Sequence, residues 1–269
     1  MAKKKARSVD TRESVRVVTA NSYITCSGTD KLSLKARKLL YIALSQVKQD
    51  DKEFFEYRLT PLEFAVVMGI DVSNVYDEAD AITDELMKLE IKIYSDDNGK
   101  RGFKKINVFE ECDYTDDSDI VFWLNKKMAT LLLGLHKDFS KPLLHDFMRM
   151  KSPYSIAVWH LMQREMKSAK PKTTEPIEFD LTIQELRQVT GTEDKLPQMV
   201  NFKERVLDKA IKEIRELCGV DITYTNTKSG RVITGFHFTA RNIYGFDISE
   251  LDPFFVERVE AKADELKKR

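Results

Sequence analysis

Cysteine, histidine and glycine are all scarce in this 269-residue chain, and each shortage excludes something. The three cysteines, Cys26, Cys112 and Cys218, are far apart and odd in number. They fit neither a disulfide framework nor a CxxC metal pair, and read as reduced thiols of a cytoplasmic protein. None of the ten glycines opens a G-x-x-x-x-G-K-[ST] phosphate loop, and no G-x-G-x-x-G, G-x-S-x-G or H-E-x-x-H is present. The four histidines, His136, His145, His160 and His237, never form a His-x-His pair. A metal-dependent nickase with a tyrosine nucleophile needs such ligands to polarise the scissile phosphate. No apolar run approaches the roughly 18 residues of a membrane span. The basic start (Lys3, Lys4, Lys5, Arg7) has no apolar run behind it, so it does not read as a secretory signal. Net charge is also absent, with 44 Lys+Arg against 44 Asp+Glu. These absences lead us to expect a cytoplasmic protein that is not an enzyme, with no catalytic residue, no metal and no cofactor.

What is present is an internal repeat. Apolar residues make up 42% of the chain, enough for real cores. Phe55-Glu56-Tyr57-Arg58-Leu59-Thr60-Pro61-Leu62-Glu63-Phe64, ending at Gly69, reads like Ile177-Glu178-Phe179-Asp180-Leu181-Thr182-Ile183-Gln184-Glu185-Leu186, ending at Gly191. Glu56/Glu178, Leu59/Leu181, Thr60/Thr182, Glu63/Glu185 and Gly69/Gly191 share one offset of 122 residues. Each element has a local cause. Alternating apolar and charged residues make a short half-buried strand. Thr60 with Glu63, and Thr182 with Glu185, form capping boxes. Pro61 takes the first helical position, and the glycines stop the helices in a left-handed turn.

The flanks repeat as well. Amphipathic helices are predicted before each segment, over Ser33 to Val47 and Ser152 to Met166. Helices follow it too, over Val75 to Leu89 and Asn201 to Leu217, with Asn201 as N-cap and Gly219 as the stop. Hairpins come next. Ile91 to Tyr94 and Lys105 to Phe109 flank Asn98-Gly99, and Val220 to Tyr224 and Val232 to Phe238 flank Lys228-Ser229-Gly230. Helix, strand, helix, turn, helix and hairpin in that order make a winged helix. The fold class expected is therefore α+β, with two tandem winged-helix domains related by an internal repeat.

The rest of the chain fills in around them. Glu110, Glu111, Asp113, Asp116, Asp117 and Asp119 form an acidic run that reads as a solvated loop rather than a metal site. A strand over Ile120 to Leu124 and a helix from Lys126 to Leu135 complete the first module. The divisions expected are a basic disordered tail (1–16), a first winged helix (17–140), a second (141–246) and a C-terminal helix (247–269). The first boundary falls near Ser140-Lys141-Pro142, and the last helix runs from Asp252-Pro253 to Leu266.

Charge by segment tells more than the total. Residues 1–16 carry net +4, 17–140 net −6, 141–246 net +4 and 247–269 net −2. In module one the third-helix candidate sets Asp77, Glu78, Asp80, Asp84, Glu85 and Glu90 against Lys88 alone, and phosphates would repel it. In module two the corresponding face presents Arg205, Lys209 and Lys212, diluted by Asp208 and Glu216, and the wing tip adds Lys228 and Arg231. The DNA-binding residues expected there are Asn201, Lys203, Arg205, Lys209, Lys212, Lys228 and Arg231. Lys100, Arg101, Lys104 and Lys105 give module one's wing a secondary DNA contact. Otherwise that module is expected to serve association, through apolar surface at Ile91, Ile93, Ile106 and Val108. The tail is expected to add affinity for phosphates without specificity.

The chain resembles the replication initiator proteins of iteron-containing plasmids, which have two tandem winged helices. The resemblance is densest in Leu181-Thr182-Ile183-Gln184-Glu185-Leu186-Arg187, in Asn201 to Ile214, and in Lys228 to Phe238. Leu32-Ser33-Leu34-Lys35-Ala36-Arg37 matches at the start, and coverage is roughly residues 20–242. The resemblance implies monomers binding directly repeated origin sites in double-stranded DNA. It also implies opening of an adjacent AT-rich region and recruitment of host replication proteins such as a helicase. Self-association into a dimer that represses its own gene at an inverted operator is implied too, as is switching between the two states through the first module. The acidic third helix of module one departs from the family's more basic members. Two rivals are a winged-helix transcriptional regulator without origin function, and a nickase.

Overall fold

A computed structural model describes residues 6–9, 15–97, 100–115, 118–166 and 175–242. Lys3, Lys4 and Lys5, the Asn98-Gly99 turn, Asp116, Asp117 and the helix expected over 252–266 lie outside the described residues. In chain order the first part holds β1 (Ala6–Ser8), β2 (Thr19–Ala20), α1 (Asn21–Ile24), α2 (Leu34–Ser45), β3 (Glu56–Leu59), α3 (Pro61–Met68) and α4 (Val75–Met87). Next come β4 (Glu90–Asp97), β5 (Lys100–Asn107), β6 (Phe109–Asp113), β7 (Ile120–Leu124), α5 (Ala129–Leu132) and β8 (Phe139–Ser140). The second part holds α6 (Leu144–Arg149), α7 (Pro153–Glu165), β9 (Ile177–Thr182), α8 (Ile183–Thr190), α9 (Met199–Phe202), α10 (Lys209–Cys218), β10 (Val220–Ser229) and β11 (Val232–Asn242).

The local signals of the repeat fold alike in both copies. Thr60 accepts from the Glu63 N–H at 3.3 Å, and Thr182 from the Glu185 N–H at 3.1 Å. Each glutamate accepts in return from the threonine N–H, so both boxes are closed. Gly69 (φ 67°) and Gly191 (φ 62°) end the two helices in the left-handed region. Ser33 and Ser152 cap α2 and α7, and Pro153 opens α7.

The sheets are not alike. Module two is a three-stranded sheet in the order β10-β11-β9, so the wing strand β11 pairs directly with the strand before α8. In module one β3 pairs instead with β7 and β1, in the order β1-β3-β7-β6, and the wing β4-β5 stands as a separate ribbon. The strand expected over Lys105 to Phe109 changes partner at Val108: its N–H donates to the Leu89 carbonyl, the last step of the wing's register, and its carbonyl accepts from the Asn125 N–H, the first step of the β6–β7 register. The first half of the acidic run is thus strand β6, not loop, with Glu110, Glu111 and Asp113 exposed beside β7.

Two expectations are corrected by packing. Arg7 is not part of a free tail. It sits in β1, its guanidinium donates to both Asp51 oxygens (2.6 and 2.8 Å) and stacks 3.9 Å over Phe55. Asp51 is itself largely buried and takes the bidentate partner that such a carboxylate requires. Ile91, Ile106 and Val108 are not available for association, because all three are buried in this chain's own core and only Ile93 is partly exposed.

That core is continuous across the expected boundary at 140/141. The Val17 N–H donates to the Pro142 carbonyl at 2.9 Å, and α6 packs on α2. α7 touches α1, α8 and α10 and carries Trp159, fully buried. At the centre His160 bridges Tyr41 of α2 (2.7 Å) and Thr19 of β2 (3.2 Å). Burial holds its imidazole neutral, with its pKa down from 6.5 to about 3.

Candidate nucleic-acid interface

The interface is built outward from α8. Arg187 on that helix donates to the carbonyls of Thr192 (2.6 Å), Lys195 (2.8 Å) and Leu196 (2.9 Å), and lies 4.6 Å over the Phe202 ring. One side chain therefore ties down the whole turn between α8 and the next helix. Leu196 adopts φ 52°, a conformation a leucine holds only under constraint, and the Arg187 bond to its carbonyl supplies one. This role was not read from the sequence. Its one signal was an arginine in the last turn of the capped helix, ahead of the Gly191 stop.

The next helix is continuous from Met199 to Cys218, but its middle, Lys203–Asp208, is π-wound. The sequence shows why. Phe202, Val206, Ala210, Ile214 and Cys218 are buried, one every four residues. An α-helix turns in about 3.6 residues, so a four-residue stripe would drift around it. An i→i+5 stretch takes up about one residue more per turn and brings the stripe back to face the core. Gly219 (φ 65°) ends the helix as expected.

Asn201 is not the N-cap. The helix begins two residues earlier, with Gln198 in the cap position, and Asn201 donates from within the first turn to the Gln198 side chain (3.0 Å). The Phe202 N–H bond to the Gln198 carbonyl already closes a turn there, which fixes the earlier start.

Arg205, Lys209 and Lys212 are all exposed on the outer face. Among the described residues Arg205 and Lys209 have no ion-pair partner. Asp208, a candidate partner for Arg205, accepts instead from the Tyr224 hydroxyl at 2.8 Å. Lys212 lies 4.0 Å from Glu216 in an exposed pair worth little. Lys203 turns inward: its ammonium donates to Asn226 (2.6 Å) and sits 5.4 Å from the Tyr224 and Phe236 rings. Lys228 and Arg231 are exposed beside the tight turn at Gly230 (φ 62°), where β10 and β11 meet. Gly235 lets the wing approach β9: a Cβ there would lie 2.7 Å from the Leu181 carbonyl.

Lys100, Arg101 and Lys104 are exposed on the other wing, while Lys105 pairs with Glu90 at 2.8 Å. Arg101 also lines a groove of about 730 Å³ between that wing and α8, together with Tyr94, Gln184 and Gln188. At its edge Arg164 donates to Glu185 at 2.7 Å. Burial opposes ionisation of Glu185, but this bond and those from Thr182 outweigh it and hold the carboxyl below its usual range.

No group of three or more His, Cys, Asp or Glu among the described residues could hold a metal, and no helix among them is long and apolar enough to cross a membrane. None of the three cysteines is in a disulfide, and burial pushes the Cys26 and Cys112 thiols up to about 12.

The fold and its two capped helix-turn-helix units define a tandem winged-helix protein. Residues 16–163 match the family described as initiator replication protein, WH1, and residues 182–240 match initiator Rep protein, WH2. The chain belongs to this family and is a replication initiator. It is 26% identical over 241 residues to the PI protein of Escherichia coli, covering 77% of each. It is similar in fold to a crystal structure of Pi initiator protein in complex with iteron DNA. That likeness has a TM-score of 0.68 at 20% identity and covers 86% of this chain and 98% of the other.

Proposed function

We propose that this protein initiates plasmid replication without catalysis, by binding directly repeated origin sites in double-stranded DNA. The observation that carries the reading is the outer face of the 199–218 helix. There Arg205 and Lys209 stand exposed without ion-pair partners among the described residues, next to a wing tipped by Lys228 and Arg231. A guanidinium free of its neighbours can take guanine O6 and N7 in a bidentate way, and the wing lysine and arginine suit phosphates. Residues 141–246 supply the principal contact in this reading. Residues 17–140 serve association and touch DNA through Lys100, Arg101 and Lys104. Iteron DNA is what the Pi protein is seen to bind, which supports the same class of site here. Opening of AT-rich DNA, recruitment of host replication proteins, autorepression as a dimer and a cytoplasmic location complete the proposal.

Footprinting the full-length protein on the DNA flanking its own gene tests it. Protection at a regular spacing over direct repeats is expected. Protection confined to one promoter-proximal site would favour a transcriptional regulator. Supercoiled DNA carrying those repeats should stay unnicked when incubated with protein and a divalent metal.

A further inference from the structure

Four polar side chains join the π-wound part of the 199–218 helix to the wing strand β10. Lys203 donates to Asn226 at 2.6 Å, and Tyr224 donates to Asp208 at 2.8 Å. The Lys203 ammonium also sits 5.4 Å from the Tyr224 ring, so the two bonds share a corner. Tyr224 and Asn226 point to the same side of β10 as buried Ile222, the side that meets the helix. Lys203 and Asp208 are the first and last residues of the π-wound stretch, and Arg205 lies between them.

We propose that Lys203, Asp208, Tyr224 and Asn226 are positioning residues that lock the wound-out turn against the wing and so fix where Arg205 reaches DNA, without touching DNA themselves. The proposal rests on the reading that this helix reads bases. The physical argument is one of register. A π turn is an uncommon winding that lasts only where its surroundings hold it. Relaxing it to α-winding would swing every outward residue C-terminal to it about the helix axis relative to those before it. A guanidinium reading one guanine tolerates little displacement. Burial and the Asp208 carboxylate both raise the Tyr224 pKa, so the hydroxyl keeps its proton and remains the donor throughout the working pH range.

The test uses the full-length protein with two duplexes: one selected by the unaltered protein from a randomised pool, and one of the same composition scrambled. Tyr224→Phe removes one hydroxyl and no charge. It should lower the preference for the selected duplex about tenfold, within what one bidentate arginine–guanine contact supplies. Affinity for the scrambled duplex and the thermal midpoint should hold. Lys203→Met should lose preference in the same way with an unchanged salt dependence. If Lys203→Met instead weakens both duplexes equally and lowers the log–log salt slope by about 0.9, Lys203 is a phosphate contact and the proposal fails. Full preference retained by Tyr224→Phe also overturns it. Arg205→Ala separates the two levels. If that variant loses preference while the brace variants keep it, only the brace is wrong. If Arg205→Ala keeps it, the base-reading role falls and the brace with it.

Discussion

The two modules carry the same short-range instructions and build different sheets. Both have a strand, a Thr–Glu capping box and a left-handed glycine in one register. In module two the wing strand β11 lies directly beside β9, so helix and wing are parts of one sheet-backed unit. In module one β7 takes that neighbour's place beside β3, and the wing is a two-stranded ribbon. Charge divides the same way, with net −6 over residues 17–140 and +4 over 141–246. Caps and stops act over three or four residues and survive duplication intact. Strand pairing depends on segments far away in sequence, and there the copies diverge. The copy whose wing is fastened to its helix is the one whose helix presents unpaired basic residues.

The comparison can be strained first where the modules meet. His160 ties α7 to Tyr41 and Thr19, and its folded pKa is about 3 against an ordinary 6.5. Below pH 6.5 the unfolded chain takes up a proton that the folded chain refuses. Stability should therefore fall by about 1.4 kcal/mol per pH unit between pH 6.5 and about 3, and level off below that. Chemical denaturation at pH 7, 6, 5 and 4.5 measures the slope. A flat profile down to 4.5 would mean that water or a local opening reaches the imidazole.

Equivalent glycines give the next test. Both Gly69 and Gly191 have positive φ, so alanine at either should cost about 1–2 kcal/mol. Around Gly69 nothing lies within 4 Å of a new Cβ, whereas at Gly191 it would fall 2.3 Å from an Asp30 carboxylate oxygen. Gly191→Ala should therefore cost about 1–3 kcal/mol more than Gly69→Ala, the cost of overpacking. Equal losses would show that the contact between module one's Asp30 and the end of α8 yields easily.

Capping threonines should behave identically. Thr60→Ala and Thr182→Ala should each cost about 1 kcal/mol in thermal or denaturant unfolding. A gap above about 1 kcal/mol between them would break the equivalence that the 122-residue offset implies. The smallest effect is expected at the wing tips. Lys228→Ala and Arg231→Ala should leave stability unchanged and weaken specific and scrambled duplexes alike, each lowering the salt slope by about 0.9.

Much of this fold could be read from the sequence wherever the cause was local. The capping boxes, the glycine stops at Gly69, Gly191 and Gly219, and the second hairpin all follow from residues a few positions apart. Failures came where a distant partner decided. Ile91, Ile106 and Val108 alternate as a half-buried strand should, but alternation does not say whether this chain or another covers them. Arg7 read as one more tail cation because Asp51 and Phe55 are more than forty positions away. The strand in the acidic run depends on β7 across a loop. At the candidate interface, Arg205, Lys209 and Lys212 could be assigned to an outer face because helical spacing alone separates them from the buried stripe. Lys203 could not be told apart from them, since its inward turn is set by Asn226 on the wing. The four-residue spacing from Phe202 to Cys218 was in plain view, and it was the trace of the π-wound turn.

The most direct test of the central contrast compares one arginine from each module in the full-length protein. Binding of Arg205→Ala and Arg101→Ala would be measured against a selected duplex and single-base variants of it. Arg205→Ala should lose about 1–3 kcal/mol of specific binding, with discrimination relaxed at one base pair and the thermal midpoint unchanged. Arg101→Ala should weaken all duplexes by a similar small amount and keep the order of preference. The account would be contradicted if Arg205→Ala bound its site with unchanged affinity and discrimination while Arg101→Ala lost discrimination at a defined base pair.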